Sequence, residues 1–447
     1  MILKESTQKE TTQMWELSSE MTGVVGIITL FVLVFLKVPI GFSLFLVGSV
    51  GYGLVVSPQA ALAKLGTDPF NNVNNYTLSV IPMFTFMGML LGNTGLGRDL
   101  FVAFNAILGR FRGGLAMATV ATCAAFASVS GSVIATTATI APVAVPEMRR
   151  SNYHDSLAAG VVAAGSTLGI LIPPSSNLVI YGMLTEESIG QLLIAGIFPG
   201  LMTALFMIIT VFIMVRVKPE LAPNTVRVPR AERNEAFKKV WPIPFIFIVS
   251  MGGILIGLFT ATEGGAFGAF LAFVVSLATR RCTLKGLKDS LYGTARITGM
   301  LMIFIIGGIT FGNFVSVSRI PAFLQIYLLE LPPVILMLTI FAIFFVSGFF
   351  MDAMAALIIF TSLFYPIVIA AGFSGIWYGI ITILMILIGF LTPPVGVVAI
   401  VTAGLTKIKL ETVFKGTIPF WFALMAAALV LILFPGIATF LPSLMIR

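Results

Sequence analysis

The sequence predicts an all-α polytopic membrane protein made of two inverted-topology repeats, each with a re-entrant hairpin and a broken helix. Composition gives the first part: 58% of residues are hydrophobic, 10% are charged and the mean hydropathy is +1.07. A soluble domain needs a far more polar surface. The second part comes from a duplicated signature. Gly169-Ile-Leu-Ile-Pro173-Pro174-Ser175 recurs as Gly389-Phe-Leu-Thr-Pro393-Pro394-Val395, 220 positions on. The same offset joins Gly88 to Gly308, Pro146 to Pro366 and Pro199 to Pro419. Proline has no amide proton and clashes with the preceding helical turn, so each Pro-Pro pair interrupts an apolar helix. Paired interruptions in two halves of a membrane chain point to a binding site at the midplane.

In chain order, a polar N-terminal tail spans 1–21. The first repeat covers 22–216, with scaffold helices within 22–56, a helix at 78–97 and an amphipathic arm at 98–112. Two apolar runs between Arg110, Arg112 and Arg149, Arg150 have basic residues on both flanks. A re-entrant hairpin at 113–148, its tip at Ser128–Ser132, resolves this. The broken helix is 156–184, and a further helix at 189–215 closes the repeat. A basic loop at 217–239 follows, and most of the 26 Lys and Arg residues fall on its side of the membrane, which the positive-inside rule makes cytoplasmic. The second repeat covers 240–434, with scaffold helices at 240–279, a hairpin at 333–368 and a broken helix at 376–405. A tail spans 435–447. Each half makes an odd number of crossings, so the halves are expected to be oppositely oriented.

The net charge of +8 belongs to these loops and gives no reason to expect nucleic-acid binding. Cys123 and Cys282 suggest neither a disulfide nor a metal site. His154 is read as a solvated loop residue, and Glu263 as a helix cap. No Walker loop, His-Glu-x-x-His or other catalytic constellation is present, so the chain is expected not to be an enzyme and to draw its energy from an ion gradient.

Chemistry is expected where the hairpin tips meet the breaks. Interrupted helices leave carbonyl oxygens without donors, which costs several kcal/mol in hydrocarbon. A hard cation such as sodium satisfies them. Ser130 and Ser132 at the first tip, and Thr392 at the second break, add hydroxyls. The half-helix N-termini created by the breaks favour an anionic group, and Ser175 and Asn177 stand beside the first of them. Asp352 lies in an apolar stretch at the second tip, where a carboxylate needs a cation, a substrate group or backbone amides. Capping of a helix is the plainer role for Ser175, Asn177 and Asp352.

At these residues the chain resembles the large membrane subunit of tripartite ATP-independent periplasmic (TRAP) transporters. The resemblance rests on Ser130-Gly-Ser-Val-Ile-Ala-Thr136, Val145-Pro-Glu-Met-Arg149, Thr167–Ser175, Ala195–Gly200, Asp352-Ala-Met-Ala-Ala-Leu357 and Ile388–Gly396. It implies an elevator-type symporter in the bacterial inner membrane that couples two or more sodium ions to an organic acid anion. It also implies two partners, a small four-helix membrane subunit and a periplasmic substrate-binding protein. One ion would lie by Ser130, Gly131, Ser132, Gly169, Pro173 and Ser175; another by Gly348, Asp352, Gly389, Thr392 and Pro393. The substrate would meet Ser130, Ser132, Ser175, Asn177 and Asp352. The chain departs from the family pattern at Val133 and Ala353, where serines are common, and at Ala261, where proline is. A stand-alone sodium–dicarboxylate symporter and a passive anion channel are the alternative readings.

Overall fold

The computed structural model describes residues 18–222, 230–348, 351, 353–393 and 396–445. Asp352, Pro394, the tail before residue 18 and the middle of the basic loop therefore lie outside the described residues. Among those described, every regular element is helical, and seven helices are long and apolar enough to cross a membrane.

The chain begins with α1 (Ser19–Phe35) and α2 (Ile40–Val55), as expected. Residues 57–77, given no element in the sequence reading, hold a further helix, α3 (Pro58–Val73). Its start has a clear local cause. Ser57 accepts from the Ala60 amide, and Pro58 occupies the first turn, where its missing N–H is no loss. A 3-10 turn at Tyr76–Ser79 leads into α4 (Val80–Asn93), so the helix expected at 78–97 is shorter. The arm is α5 (Leu96–Leu108). The hairpin is α6 (Gly114–Ser130) and α7 (Val133–Arg150). Only Gly131 and Ser132 join its arms; Ser128 and Ser130, expected in the tip, are the last residues of a helix. The broken helix is α8 (Asp155–Thr167) and α9 (Ser176–Thr185), followed by α10 (Ile189–Ala195) and α11 (Ile197–Val217).

Two segments read as irregular are helical. The described end of the basic loop forms α12 (Arg230–Val240). It is followed by α13 (Pro242–Leu255), α14 (Ala261–Ala278) and α15 (Leu284–Val317). With 34 residues, α15 rises about 51 Å, well beyond a hydrocarbon core of about 30 Å. A second arm follows, α16 (Ile320–Leu328), which was not expected from the sequence. The second hairpin is α17 (Pro333–Ser347) and α18 (Ala353–Ala370), and the second broken helix is α19 (Gly375–Phe390) and α20 (Val397–Thr406). The chain ends in α21 (Leu410–Leu433) and α22 (Gly436–Ser443), the latter inside the segment read as a tail. His154 is exposed, as expected, and its ring nitrogen caps α8 by accepting from the Ser156 amide.

Element bounds follow the sequence offset. Adding 220 to the bounds of α7 gives those of α18, and the first residue of α8 maps onto that of α19. Helices of the two halves pair, α15 along α2 and α14 along α4. The half-helices exchange: α9 packs on α18 and α19, while α20 packs on α7 and α8. The half-helix that follows each break thus packs on the other half's hairpin arm.

Glu263 caps α14 as expected. Its carboxylate accepts from the Thr260 amide at 2.8 Å, and its own amide donates to the Thr260 hydroxyl at 3.2 Å, a reciprocal capping box. Thr260→Ala should lower stability by about 1 kcal/mol. A modest fall in melting temperature with unchanged transport is the expected result.

At the base of the first hairpin, Arg149 donates to Asp155 at 2.7 and 2.9 Å, tying the end of α7 to the start of α8. The guanidinium hydrogen bond holds the Asp155 carboxyl below the usual carboxylate range.

Candidate functional site at the paired helix breaks

At the first break, α8 tightens into a 3-10 turn at Leu168–Ile170 and stops. The helix restarts only at Ser176, because Pro173 and Pro174 have no amides to give. Ser175 closes the gap: its hydroxyl donates to the Ile170 carbonyl at 2.6 Å and accepts from the Leu178 amide at 3.4 Å. It is 1% exposed. Leu171 is different, since no donor among the described residues reaches its carbonyl.

The first hairpin tip rests on this break. Gly131 has φ +58° and lies so close to the Pro174 carbonyl that a side chain there would run into it. Gly169 lies against the Ser132 carbonyl, with an ideal Cβ only 3.0 Å from that oxygen. Ser132 caps α7 by accepting from the Ala135 amide. Thr136 donates to the Ser132 carbonyl at 2.8 Å, and its oxygen lies 3.0 Å from the Ser130 hydroxyl. The Thr136 proton being committed, Ser130 donates to Thr136. A narrow cleft with room for about one water is lined by Ser130, Gly131, Pro174 and Ser175, with Phe84 and Thr85 of α4 opposite. Asn177 does not line this cleft; it is 3% exposed, and its amide nitrogen has no partner.

At the second break the tip and helix also touch. An ideal Cβ on Gly389 would stand 2.5 Å from the Gly348 Cα, and the reverse distance is the same. The Thr392 hydroxyl donates to the Ile388 carbonyl at 2.7 Å. Pro393, expected at an ion, is exposed, and Asp352 lies outside the described residues. The expectation that both breaks leave free carbonyls holds only in part. The Leu391 carbonyl, counterpart of Leu171, accepts from the Trp421 indole at 3.2 Å and from the Thr417 hydroxyl at 3.3 Å.

The direction of these hydrogen bonds bears on what the site can hold. Ser130, Ser175 and Thr392 all give their protons to protein oxygens. What they turn to a guest is lone pairs. At the first break Ser130 and Ser175 so form a small all-oxygen, acceptor-rich set, of which the Leu171 carbonyl, lying against Gly196, is not a part. Such a set suits a hard cation and not the oxygens of a carboxylate. No group of three or more His, Cys, Asp or Glu side chains that could hold a metal occurs among the described residues.

One group of interactions was not foreseen from sequence. Tyr181 donates to the Gly375 carbonyl at 2.7 Å, and Tyr365 donates to Glu187 at 2.8 Å. These contacts fasten α9 and the turn that follows it to the second broken helix and hairpin, respectively. Thr136 was missed too, although a threonine four residues after a capping serine is a signal for back-bonding to its carbonyl.

The model of the tripartite ATP-independent periplasmic transporter DctM component matches residues 27–437. The chain belongs to this family. It is 34% identical to the C4-dicarboxylate TRAP transporter large permease protein DctM of Pseudomonas aeruginosa, over 87% of this chain and 91% of that one. It is 28% identical to the sialic acid TRAP transporter large permease protein SiaM of Vibrio cholerae, over 92% and 96%. The fold is similar to that in the crystal structure of the Alcanivorax borkumensis YdaH transporter, described as having an unusual topology. There the TM-score is 0.58 and the identity 14%, over 84% of this chain and 89% of that one. As a TRAP large subunit, the chain is a multi-pass membrane protein.

Proposed function

We propose that this TRAP large subunit uses a sodium gradient to drive uptake of an organic acid anion across a bacterial inner membrane. The seating of each hairpin tip on a helix break, through Gly131 on Pro174 and Gly348 on Gly389, carries the reading. It gives two contact points where backbone and hydroxyl oxygens converge away from water. Sodium ions, two or more, are the co-transported cargo that these oxygens would accept. One ion lies by Ser130, Gly131, Ser132, Gly169, Pro173 and Ser175; another by Gly348, Gly389, Thr392 and Asp352. The positive ends of α9 and α20 then face the substrate's carboxylate. Because the Ser130 and Ser175 protons are committed, these residues act mainly on the cation. Asn177, with its free amide hydrogens, is the better donor to an anion.

In this reading the hairpins and broken helices move as one body past fixed scaffold helices, an elevator. The reciprocal packing of α9 and α20 on the opposite halves supports a single moving body. Each net positive charge carried inward gains about 2.3 kcal/mol per 100 mV, so excess sodium over substrate charge adds a voltage drive. The small membrane subunit and a periplasmic binding protein complete the transporter. The two relatives compared are named for C4-dicarboxylates and sialic acid, both carboxylates, which supports an organic acid as the class.

The test is uptake into proteoliposomes holding the chain with its two partners. Collapsing the sodium gradient should abolish accumulation, and omitting the soluble partner should do the same. Accumulation that persists without sodium rejects the reading; uptake without the soluble protein favours a stand-alone symporter.

A further inference from the structure

The two breaks are alike in sequence but not in their hydrogen bonding. Leu171 and Leu391 are counterparts at the 220 offset, each the second residue before a Pro-Pro pair. The Leu391 carbonyl receives the Trp421 indole N–H and lies within reach of the Thr417 hydroxyl. Thr417 also donates to the Phe414 carbonyl at the shorter distance of 2.9 Å, so the indole is the committed donor. The positions equivalent to Thr417 and Trp421 are Ile197 and Leu201, neither of which has a proton to give. No other described group replaces them at Leu171.

We propose that Trp421 is a positioning residue that ties the second break to α21 through the Leu391 carbonyl, a tie the first break lacks, so that the two breaks hold their ions with unequal rigidity. At the first break the Leu171 carbonyl lies against Gly196 and receives no described donor. The second has its carbonyl fixed toward α21, so any ion at that tip is held without it. The physical reason is the same on both sides: an unpaired carbonyl in hydrocarbon is costly. One half meets that cost with an indole; in the other no described group does. Trp421 does not touch the ion; it sets the orientation of the peptide following Leu391, and so the geometry of the Gly389–Thr392 turn. The inference rests on the sodium reading for its functional consequence but not for its structural content.

Two measurements on the assembled transporter test it. In Trp421→Phe, which keeps an aromatic ring and removes the donor, amide hydrogen exchange over residues 388–393 should rise, while that over 168–172 stays as in the wild type. The sodium concentration for half-maximal uptake should shift by about five-fold, the equivalent of one neutral hydrogen bond, with the maximal rate within about two-fold. The reciprocal change, Leu201→Trp, is at a residue 55% exposed, where an indole has space. It should lower amide exchange over 168–172 by offering a donor to Leu171. Unchanged exchange in Trp421→Phe overturns the proposal, as does raised exchange with an unchanged sodium midpoint. If uptake by the wild type shows no sodium dependence, the transport reading fails on its own, and the exchange experiment alone decides whether Trp421 holds the break.

Discussion

Gly131→Ala should disable the first hairpin tip. Two independent costs fall on this residue. Its φ of +58° is a left-handed conformation, which costs an L-residue about 1 kcal/mol relative to glycine. The added methyl would also run into the Pro174 carbonyl. That oxygen belongs to a backbone fixed by the Ser175–Ile170 hydrogen bond, so it cannot turn aside as a side-chain end could. Overpacking of this kind costs about 1–3 kcal/mol more. The tip must therefore lift away from the break, separating Ser130 and Gly131 from Pro174 and Ser175. We expect uptake to fall at least about ten-fold, with a lower melting temperature. Gly95→Ala separates the two costs. Gly95 has φ +75° but nothing within 4 Å of its Cβ position, so it carries the conformational cost alone, about 1 kcal/mol. If both variants transport equally well, the tip does not bear on the break as described.

Much of this arrangement is legible in the sequence because membrane helices must satisfy their own backbone. Proline pairs, glycine at a tip and serine before an apolar run each act locally, so the hairpins and broken helices appear nearly where their residues place them. Elements set by surroundings are less visible. Helix α3 holds Lys64, Asp68 and two asparagines and has no long apolar run; it was overlooked although Ser57-Pro58 is an N-terminal signal. Arm α16 is flanked by Arg319 in a left-handed conformation, which nothing in an apolar stretch announces. The inequality of the breaks was hidden for another reason. A tryptophan in an apolar helix reads as packing, and its N–H gains meaning only when α21 is brought against Leu391. The sequence also suggested hydroxyl ligands without fixing where their protons go. That direction, toward Ile170, Thr136 and Ile388, inclines these residues to a cation over an anion.

At the second tip the decisive change is Gly389→Ala, because local propensity and packing disagree on its sign. Gly389 is inside α19, without positive φ. Propensity alone makes alanine better there by about 1 kcal/mol. The structure opposes this: the new methyl would stand 2.5 Å from the Gly348 Cα, closer than two non-bonded carbon atoms approach. Neither glycine has a side chain to move, and the Gly348 amide is held by Phe344 at 3.1 Å, so α17 or α19 must shift as a body. The packing cost of about 1–3 kcal/mol exceeds the propensity gain, and net destabilisation is expected. Gly299→Ala supplies the opposite case. It lies inside α15 with nothing within 4 Å of its Cβ position, and should stabilise by up to about 1 kcal/mol without altering transport. Melting temperatures moving in opposite directions, with uptake lost only in Gly389→Ala, would tie transport to contact between the second hairpin and its break. A stabilised, fully active Gly389→Ala protein would mean that this contact is not part of the working cycle.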